Sequence, residues 1–579
     1  MRREQELQKE RDAAREMNAP LKKWAKAERA RLVEALEGRY SNEMEEYNTA
    51  LKGKGSDWVD GEFPGERAMG FVPLGKSGAP MSVEWRAALK GCHPCPPGVR
   101  PSPAHVVQGF LSDCWLLSAF AVLATRPSLL ERLWYGGVQR APEHVRSGVF
   151  VCRLWSPHEE QWKVWAVDPS IPFDEDSYPL FAQAAQSAQG AVWWAPLLEK
   201  AFVRGYCKTY HALNNGWPRE ALMRMIPFAT NAHFELNSHD LNSQWEQLRE
   251  WHRLGHLLTC SSRLTGTDRD LFRGVVLSHA YTVLDLKANV DGDLSLLQLR
   301  NPHGHGEFSG PYSDKYDTLP ENAADTKWSR PFSDPPEPSC LSIAMGYSVE
   351  SAVGGVWEGA WDDGAFWMSL TDFYSLFQVL EVTRIYPSSE KEGIGASGVV
   401  WKHAVEAGYW EQGKTQVRFK LTATPGADLA VVLTARPEPG MEDVCGFTLA
   451  LHTSSGQELN QQFYTPPPLP PSAMHATERF PDKELPCVCL EVKPQPLRDP
   501  TLYVTASCTR PLFSSSLENL KFSLRVHATL CAKAAPHVEL TYADQGEDSG
   551  EGAGEASEEV EEETFYTVNP AQEEEEEDV

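Results

Sequence analysis

The sequence predicts an α+β protein of two to four domains. At 579 residues the chain is too long for one compact core, because single cores stop growing at about 250–300 residues. Residues 51–390 mix helical and strand-like segments, whereas at least six short, largely alternating segments follow residue 397 and are separated by Pro, Gly and Asp turns. Alternation at that spacing indicates an antiparallel β-sandwich. We therefore expect a mixed helical and strand-rich body followed by an all-β domain.

The first 50 residues predict an amphipathic helix. Residues 1–19 are mostly charged, polar or small, and Pro20 suits the first turn of a helix. The apolar residues that follow share one side of a helical wheel, although Glu28 interrupts them: Leu21, Trp24, Ala25, Leu32, Ala35 and Leu36. Such a stripe is expected to dock on its own protein or on a partner protein rather than on a membrane.

Negative charge is concentrated at the C-terminal end. The formal net charge is −27, and residues 544–579 hold 16 of the 81 acidic residues and no Lys or Arg. A segment of this composition is expected to be disordered. The remainder still has 65 acidic against 54 basic residues, and this balance excludes nucleic-acid binding, which needs a basic surface. The run PPPLPP at 466–471 is interpreted as a stiff loop of the sandwich rather than an SH3 ligand.

Targeting signals are not evident, and cysteine usage indicates a reducing compartment. The N-terminal segment lacks the apolar core of a secretory signal, and the longest apolar stretch, near 114–124, is too short for a membrane span. The 12 cysteines show no framework spacing. Cys92 and Cys95 have metal-ligand spacing, but no second pair follows at zinc-finger distance. We expect a cytoplasmic protein with free thiols and no transmembrane segment.

One cysteine stands out in the stretch QGFLSDCWLLSAF, residues 108–120. A cysteine within an apolar run is usually a small buried side chain, but Cys114 lies at the front edge of the run. Asp113 is predicted as the N-cap of a helix that continues to Ala124. Backbone N–H groups and the positive end of the helix dipole lower the pKa of a thiol in that position. The Gln108 amide and the backbone N–H of Cys114 could then form an oxyanion hole.

A base for this thiol is predicted on a β-hairpin at 274–304. The turn is placed at Asp291 and Gly292, so that His279 opens the first strand and Asn301 closes the second. Both residues therefore lie at the open end of the hairpin, where Asn301 can hold one ring nitrogen of His279 while the other faces sulfur. A lone histidine at a strand start is usually structural, whereas this pair beside a helix-cap cysteine predicts a Cys-His-Asn site.

Five separated blocks resemble the calpain family of papain-like cysteine proteases. They occur in the order typical of that family and span about 51–390: QGFLSDCWLLSAFAVLA, WWAPLLEKAF, LSHAYTVLDL, LRNPHGHGEFSGPYSD and DDGAFWMSLTDFYSLF. The resemblance implies a two-lobed papain-like core, with a helical lobe carrying Gln108 and Cys114 and a β-rich lobe carrying His279 and Asn301. The implied domains are an N-terminal helix at 1–50, the lobes at 51–213 and 214–390, a C2-like calpain-type sandwich at 391–538 and an acidic disordered tail at 539–579.

Some positions depart from the family pattern. Ser112 stands where glycine is usual, and His303 stands where family members have a tryptophan that covers the catalytic histidine or wedges the lobes apart. The resemblance implies one calcium ion in each lobe, and Asp363 is kept as a calcium ligand. Acids are replaced at three other expected ligand positions: His105, Val192 and Ala365. Because calcium needs several oxygen ligands, we expect no obligatory cofactor and treat calcium dependence as an open question.

The predicted function is an intracellular cysteine endopeptidase that acts on protein substrates. One alternative is a catalytically silent calpain-like scaffold, but such a scaffold has no physical need for all four catalytic residues. The other is a thiol acyltransferase of transglutaminase type, a class that usually orients its histidine with Asp rather than Asn. The resemblance also leaves open a peripheral membrane contact through the sandwich.

Overall fold

The computed structural model describes most of the chain up to residue 543 and supports the predicted α+β class. It describes these ranges: 2–36, 43–54, 58–75, 78–87, 94–134, 149–236, 241–263, 271–290, 294–313, 363–388, 399–410, 416–436, 446–464, 487–492, 501–509, 520–529 and 537–543. The proline-rich run at 466–471, Cys92, the hairpin turn at 291–293 and the acidic residues from 544 onward lie outside the described residues.

Nine α-helices are described, and most of them precede residue 260. In the described ranges no helix has the length and apolar character that crossing a membrane requires. The helices are α1 (Arg2–Leu36), α2 (Glu43–Leu51), α3 (Gly65–Met69), α4 (Cys114–Ala124), α5 (Pro127–Glu131), α6 (Trp194–Phe202), α7 (Pro218–Leu222), α8 (Leu241–Arg253) and α9 (Leu370–Leu376).

Helix α4 forms the centre of the first apolar core, as the length of its apolar run predicted. Every residue from Trp115 to Ala124 is buried, and α6 packs in the same core. Short strands flank these helices and pair antiparallel as β1 with β4, β2 with β3 and β5 with β6. They are β1 (Glu84–Ala87), β2 (Phe150–Ser156), β3 (Gln161–Val167), β4 (Ser170–Phe173), β5 (Ala185–Ser187) and β6 (Gly190–Val192).

A six-stranded antiparallel sheet follows, in the order β13-β12-β11-β8-β14-β7. Strands β12 and β11, the second and third in this order, form the predicted hairpin: Thr282 lies opposite Arg300, and two irregularities follow along the strands. His279 and Asn301 lie just outside the paired ends. The strands of this region are β7 (Thr230–Glu235), β8 (Leu257–Ser262), β9 (Leu271–Phe272), β10 (Val275–Val276), β11 (Ala280–Val290), β12 (Leu294–Arg300), β13 (Ala365–Ser369) and β14 (Phe377–Arg384).

The C-terminal part forms two antiparallel sheets around one apolar core. All six segments predicted as strands are strands, and β15, β19 and β23 are additional. The last strand, which pairs with β16, includes residues 539–542, assigned to the tail from sequence. The strands are β15 (Lys402–Tyr409), β16 (Gln416–Ala423), β17 (Asp428–Arg436), β18 (Gly446–Thr453), β19 (Glu458–Tyr464), β20 (Cys487–Val492), β21 (Thr501–Thr509), β22 (Lys521–Thr529) and β23 (Val538–Tyr542).

Helix α1 begins earlier than the sequence predicted. Pro20 lies inside the helix rather than in its first turn. A proline removes one helical hydrogen bond, but the flanking runs are rich in Glu, Lys, Arg, Gln and Ala, which favour helix. On the predicted stripe, Leu32 is fully buried and Ala35 is 8% exposed in the first core. This face is therefore occupied by the same chain, which gives no support to a partner protein bound there.

Glu28, which interrupts the apolar stripe, is buried in a network of charges. Its carboxylate contacts Arg31 and Arg436, each at 2.7 Å. Arg31 also reaches the Glu160 carboxylate at 3.2 Å, and Arg436 pairs with the same group. Because Glu28 belongs to α1, Glu160 to the turn between β2 and β3 and Arg436 to β17, the network connects three distant parts of the chain.

One buried histidine contacts the C-terminal sheets and two others lie within them. His256 lies beside Trp401 and Glu491, and the Nδ1 atoms of His403 and His527 are 2.8 Å apart. Burial lowers the pKa of His256 to about 3 and of His403 to about 4, and holds the pKa of His527 well below its usual range. The charged groups that act on these rings are Glu491, Arg384, Glu250, Lys402 and Arg525.

We predict that stability falls as the pH is lowered from about 6.5 toward 4. In that window the unfolded chain binds protons that the buried rings do not accept. At pH 5, each of His256 and His403 therefore lowers the free energy of unfolding by about 2 kcal/mol. The free energy of unfolding in urea should therefore be several kcal/mol lower at pH 5 than at pH 7. Replacing His256 with Gln should flatten this dependence. Equal stability at both pH values would contradict the prediction.

Candidate active site

Cys114 is the first residue of α4, where the sequence placed it. Its side chain is partly exposed and forms no disulfide. The loop before it is held by the segment after the 3₁₀ turn at 210–213, because the Ser112 N–H donates to Asn214 Oδ1 at 3.1 Å and the Asn215 N–H donates to the Ser112 carbonyl at 3.0 Å. A partly exposed thiol on a fixed loop at the start of a buried helix can reach a substrate.

Asp113 occupies the N-cap position but does not cap the helix with its side chain. The carboxyl group turns into the protein, where it is 1% exposed and contacts the carboxyl group of Glu199 on α6. Burial raises the pKa of Asp113 to about 6, and burial together with Asp113 raises the pKa of Glu199 well above its usual range. Two buried carboxyl groups in contact share a proton rather than both ionising. Asp113 is therefore at the predicted N-cap position, but the prediction that its side chain caps the helix is wrong.

Gln108 lies beside the nucleophile loop and is 8% exposed. Its Nε2 donates to the Leu111 carbonyl at 2.8 Å, and its backbone N–H donates to the Pro302 carbonyl at 2.9 Å. The first bond curls the amide back over the loop that leads to Cys114, and Nε2 has a second N–H. The second bond joins this loop to the residue that follows Asn301.

His279 and Asn301 form a hydrogen-bonded pair at the end of the hairpin. His279 Nε2 lies 2.9 Å from Asn301 Oδ1, and the two residues are 1% and 0% exposed. The backbone of His279 is held at both its N–H and its carbonyl by Ser262. The sequence placed both residues at this end of the hairpin, and the structure brings them together.

The hydrogen bonds around Asn301 define the tautomer of His279. The Asn301 amide donates from Nδ2 to the carbonyls of His305 and Gly306, at 2.9 and 3.0 Å, so the atom facing His279 is the oxygen. An amide oxygen only accepts, and Nε2 must therefore carry the proton. Nδ1 is then the basic nitrogen, and it makes no hydrogen bond to any described residue.

His303 lies against the ring of His279, with centroids 4.4 Å apart and planes tilted by 32°. It occupies the covering position where the family pattern has tryptophan. Burial lowers the pKa of His279 to about 3, with the neighbouring His303 as a second cause that lowers it, while the Asn301 hydrogen bond raises it. The resting ring is therefore neutral and can accept a proton.

Helix α4 packs directly on the strand that follows His279. Ser118 donates to the Ala280 carbonyl at 3.0 Å, and Thr282 donates to the Ser118 carbonyl at 2.9 Å. Together with the bond from Gln108 to Pro302, these contacts place the thiol loop and the His279–Asn301 pair on adjoining surfaces. No hydrogen bond joins His279 Nδ1 to the thiol here.

Asp363, the expected calcium ligand, forms hydrogen bonds within the chain through its N–H and its Oδ1. Its N–H donates to Glu307 Oε1 at 2.9 Å, and its Oδ1 accepts from the Ala365 N–H at 2.8 Å. Glu307, six residues after Asn301, lies in the block LRNPHGHGEFSGPYSD but was given no role from sequence. In the ranges that the structure describes, no three His, Cys, Asp or Glu side chains are placed to hold a metal ion. These residues alone do not fit calcium, which takes six to eight oxygens.

Two other expected calcium positions are used for packing. Val192 is fully buried in the first core. His105 is 9% exposed, and its Nδ1 accepts from the Ser102 N–H at 3.2 Å and lies 3.4 Å from Trp194 Nε1. Burial, with Arg300 nearby, lowers the pKa of His105 to about 4. A neutral imidazole and an isopropyl group supply no carboxylate to a cation.

We predict that Gly109→Ala damages the site. A Cβ there would lie 1.9 Å from the Phe181 carbonyl oxygen and 2.6 Å from that of Leu180, so the loop between Gln108 and Cys114 would have to move. We expect a loss of about 1–3 kcal/mol of stability, as for overpacking. Because a displacement of 1 Å can cost about 10²-fold in rate, the rate of thiol labelling by a peptide probe should fall at least tenfold.

Gly61→Ala is the matched control for this substitution. A Cβ at Gly61 meets nothing within 4 Å, so both urea unfolding and labelling should stay at the level of the unsubstituted protein. If Gly109→Ala also unfolded and reacted normally, the loop would not be as constrained as the contacts indicate.

Part of the sequence is similar to known proteins of the calpain family. Residues 58–329 match the family model described as calpain family cysteine protease. The rat (Rattus norvegicus) calpain-1 catalytic subunit is 29% identical over 368 residues, which is 61% of this chain and 45% of that protein. The pig (Sus scrofa) calpain-1 catalytic subunit is 28% identical over 458 residues, which is 74% of this chain and 57% of that protein.

A plant protein is similar over nearly the same extent. The calpain-type cysteine protease DEK1 of Zea mays is 29% identical over 358 residues, which is 58% of this chain and 14% of that protein. This chain thus spans about half the length of the calpain-1 relatives and a smaller part of the plant protein. With the matched residues containing Cys114, His279 and Asn301, the chain belongs to the calpain family of cysteine proteases.

Proposed function

We propose that this chain is an intracellular calpain-like cysteine endopeptidase that cleaves protein substrates through an acyl-enzyme. The observation that carries the proposal is the 2.9 Å contact between His279 Nε2 and Asn301 Oδ1. This contact leaves Nδ1 as the basic nitrogen of a neutral ring, beside the helix that begins at Cys114. A thiol, an imidazole and an orienting amide in this relation are the parts of a nucleophilic site.

In the first half of the reaction, Cys114 Sγ attacks the scissile carbonyl carbon as the thiol proton passes to His279 Nδ1. The C–S bond forms and the carbonyl oxygen becomes an oxyanion. When this intermediate collapses, the C–N bond breaks and the proton on Nδ1 moves to the leaving amine. Asn301 accepts the hydrogen bond from Nε2 throughout, which holds the ring plane while its charge changes.

In the second half, water adds to the acyl carbon while His279 Nδ1 takes one of its protons. Collapse of the second intermediate breaks the C–S bond and releases the carboxylic acid, and the departing thiolate takes the proton back from Nδ1, which restores the thiol and the neutral ring. In both halves, the second N–H of Gln108 Nε2 and the backbone N–H of Cys114 hold the oxyanion. Each such donor contributes about 3–4 kcal/mol in comparable sites.

We further propose a domain division that follows the sequence expectation. The helical region at 51–213 and the six-stranded sheet at 214–390 are the two lobes of a papain-like core, and residues 391–538 form the C2-like sandwich. Three apolar cores, each lying mainly in one of these parts, support this division, although the first core also includes residues at 221–229 and Leu257, Ile385 and Val405. The proposal also includes an N-terminal helical segment at 1–50, where the structure has α1 and most of α2. The sandwich is extended to include β23, and the acidic tail is proposed to begin after that strand.

Calcium is proposed to be dispensable for closing the two lobes. Support comes from His105, Val192 and Ala365, which supply no carboxylate at expected ligand positions. The direct bonds from Gln108 to Pro302 and from Ser118 to Ala280 already join the two parts. Adding calcium should therefore change the cleavage rate little. If calcium instead converted an inactive protein into an active one, the carboxylates present would be sufficient to bind it.

The decisive experiment is labelling with a peptide epoxide that carries a reporter, with calcium or with a chelator. We expect one covalent adduct, located by mass spectrometry on Cys114, together with cleavage of denatured casein. Labelling without any cleavage of peptides or proteins would favour a silent scaffold. Transfer of an acyl group to an added amine in preference to water would favour an acyltransferase.

A further inference from the structure

Phe110 is a large apolar side chain left exposed in the loop that leads to the nucleophile. It lies two residues after Gln108 and four before Cys114, and it is 47% exposed, whereas its neighbour Leu111 is 4% exposed. Exposed large apolar side chains on soluble proteins are informative when they cluster rather than occur singly. The surroundings of Phe110 show such a cluster.

The ring of Phe110 is supported from below by other aromatic rings. Phe71 stacks nearly parallel to it, at 10° with centroids 6.3 Å apart. Phe71 in turn contacts His211 at 5.7 Å and Phe181 at 6.3 Å, and Phe181 packs on buried Tyr210 at 4.2 Å. One edge of the ring is therefore anchored to the apolar core while the remainder faces solvent.

The backbone around Phe110 is fixed as well. Its N–H donates to the Leu180 carbonyl at 2.9 Å, and the preceding Gly109 has no room for a Cβ. The ring therefore contacts a ligand with little loss of conformational entropy, which is the property that makes rigid aromatic side chains effective at binding surfaces.

Three further exposed apolar side chains lie in the segments that contact Phe110. Val72 and Leu74 follow Phe71 and are 66% and 53% exposed, and Tyr178, two residues before Leu180, is 63% exposed. We call Phe71, Val72, Leu74, Phe110 and Tyr178 the Phe110 patch. Phe110 belongs to the loop between the oxyanion amide and the thiol, so the patch includes one residue of the proposed active-site loop.

We propose that Phe110 is a specificity-determining residue, whose ring binds an aliphatic or aromatic side chain of the protein substrate close to the scissile bond. This inference rests on the proposed endopeptidase function and names the substrate class of that site. The occupant is an extended substrate segment, since any chain that presents its carbonyl to Cys114 and its oxygen to Gln108 must pass the loop that carries Phe110.

The test compares the cleavage of a positional peptide library by the full chain with that by Phe110→Ala. We expect the unsubstituted protein to prefer Leu, Phe or Met over Ser at one position near the scissile bond. In Phe110→Ala this preference, as a ratio of kcat/KM values, should fall roughly tenfold, because apolar pockets discriminate by about this factor. Phe110→Leu should keep most of the preference, since it retains an apolar contact.

Two controls separate this proposal from the proposed function. Iodoacetamide is too small to need the patch, so it should label Cys114 at the same rate in the unsubstituted protein and in Phe110→Ala. Val59→Ala removes an exposed apolar side chain (68% exposed) outside the patch and should leave the preference unchanged. Normal cleavage with an unaltered preference in Phe110→Ala overturns the role of Phe110 alone. If the unsubstituted protein cleaves nothing, both proposals are wrong.

Discussion

Replacing Cys114 with alanine should abolish proteolysis and covalent labelling while leaving the protein folded. Removal of the nucleophile from comparable sites lowers the rate constant by a factor on the order of 10⁴ or more. Alanine has the highest helix propensity, and the side chain at this position is only partly buried at the start of α4. The free energy of unfolding in urea should therefore change by less than about 1 kcal/mol.

The other described cysteines make this experiment specific. Burial raises the pKa of the Cys95 thiol to about 12 and also raises the pKa values of the Cys152 and Cys260 thiols, so these thiols do not form thiolates near pH 7. Cys487 on β20 is partly exposed and provides the matched control: Cys487→Ala should retain full activity. If Cys114→Ala still formed the adduct at the original rate, the nucleophile would lie elsewhere.

Local sequence patterns predicted the structure correctly where the contacts that determine it are close in sequence. The apolar run after Cys114 predicted α4 with its observed bounds, since one continuous run specifies both the helix and its burial. Alternation predicted six strands of the C-terminal sheets. The hairpin register placed His279 and Asn301 at one end because both strands are counted from the same turn, and strand irregularities shift the pairing by little.

Local patterns failed where a distant residue decides the outcome. The sequence around Asp113 favours a side-chain cap, but the carboxyl group of Asp113 lies in the core and contacts Glu199, 86 residues later. Glu28 interrupts an apolar stripe in sequence, yet Arg436 makes its burial favourable. Neither partner could be assigned without the fold, because nothing in the spacing of these residues links them. The same reasoning applies to Phe110, because the sequence around it does not indicate that Phe71 stacks on its exposed ring.

Replacing Asn301 with alanine should lower kcat about 10- to 100-fold with little change in KM. The amide accepts from His279 and holds a ring that becomes charged during the reaction, and a hydrogen bond to a charged group contributes about 1.5–3 kcal/mol. Each 1.4 kcal/mol corresponds to a factor of ten. Steady-state cleavage of a peptide selected from the library measures both constants, and an effect on kcat alone indicates an interaction made mainly in the transition state.

The same substitution also removes structural hydrogen bonds, so its effect on the rate must be separated from its effect on stability. Alanine leaves the carbonyls of His305 and Gly306 without the Nδ2 donor, which should cost about 1–3 kcal/mol. Asn231→Ala is the control, since Asn231 bonds Thr383 at 2.7 Å within the same sheet but does not contact His279. Both variants should unfold at lower urea concentration, whereas only Asn301→Ala should lose activity when assayed well below its unfolding transition.

Equal rate losses in the two variants would mean that Asn301 only supports the fold. A greater loss in Asn301→Ala than in Asn301→Asp, which keeps an acceptor for Nε2, would identify Asn301 as the residue that orients the base.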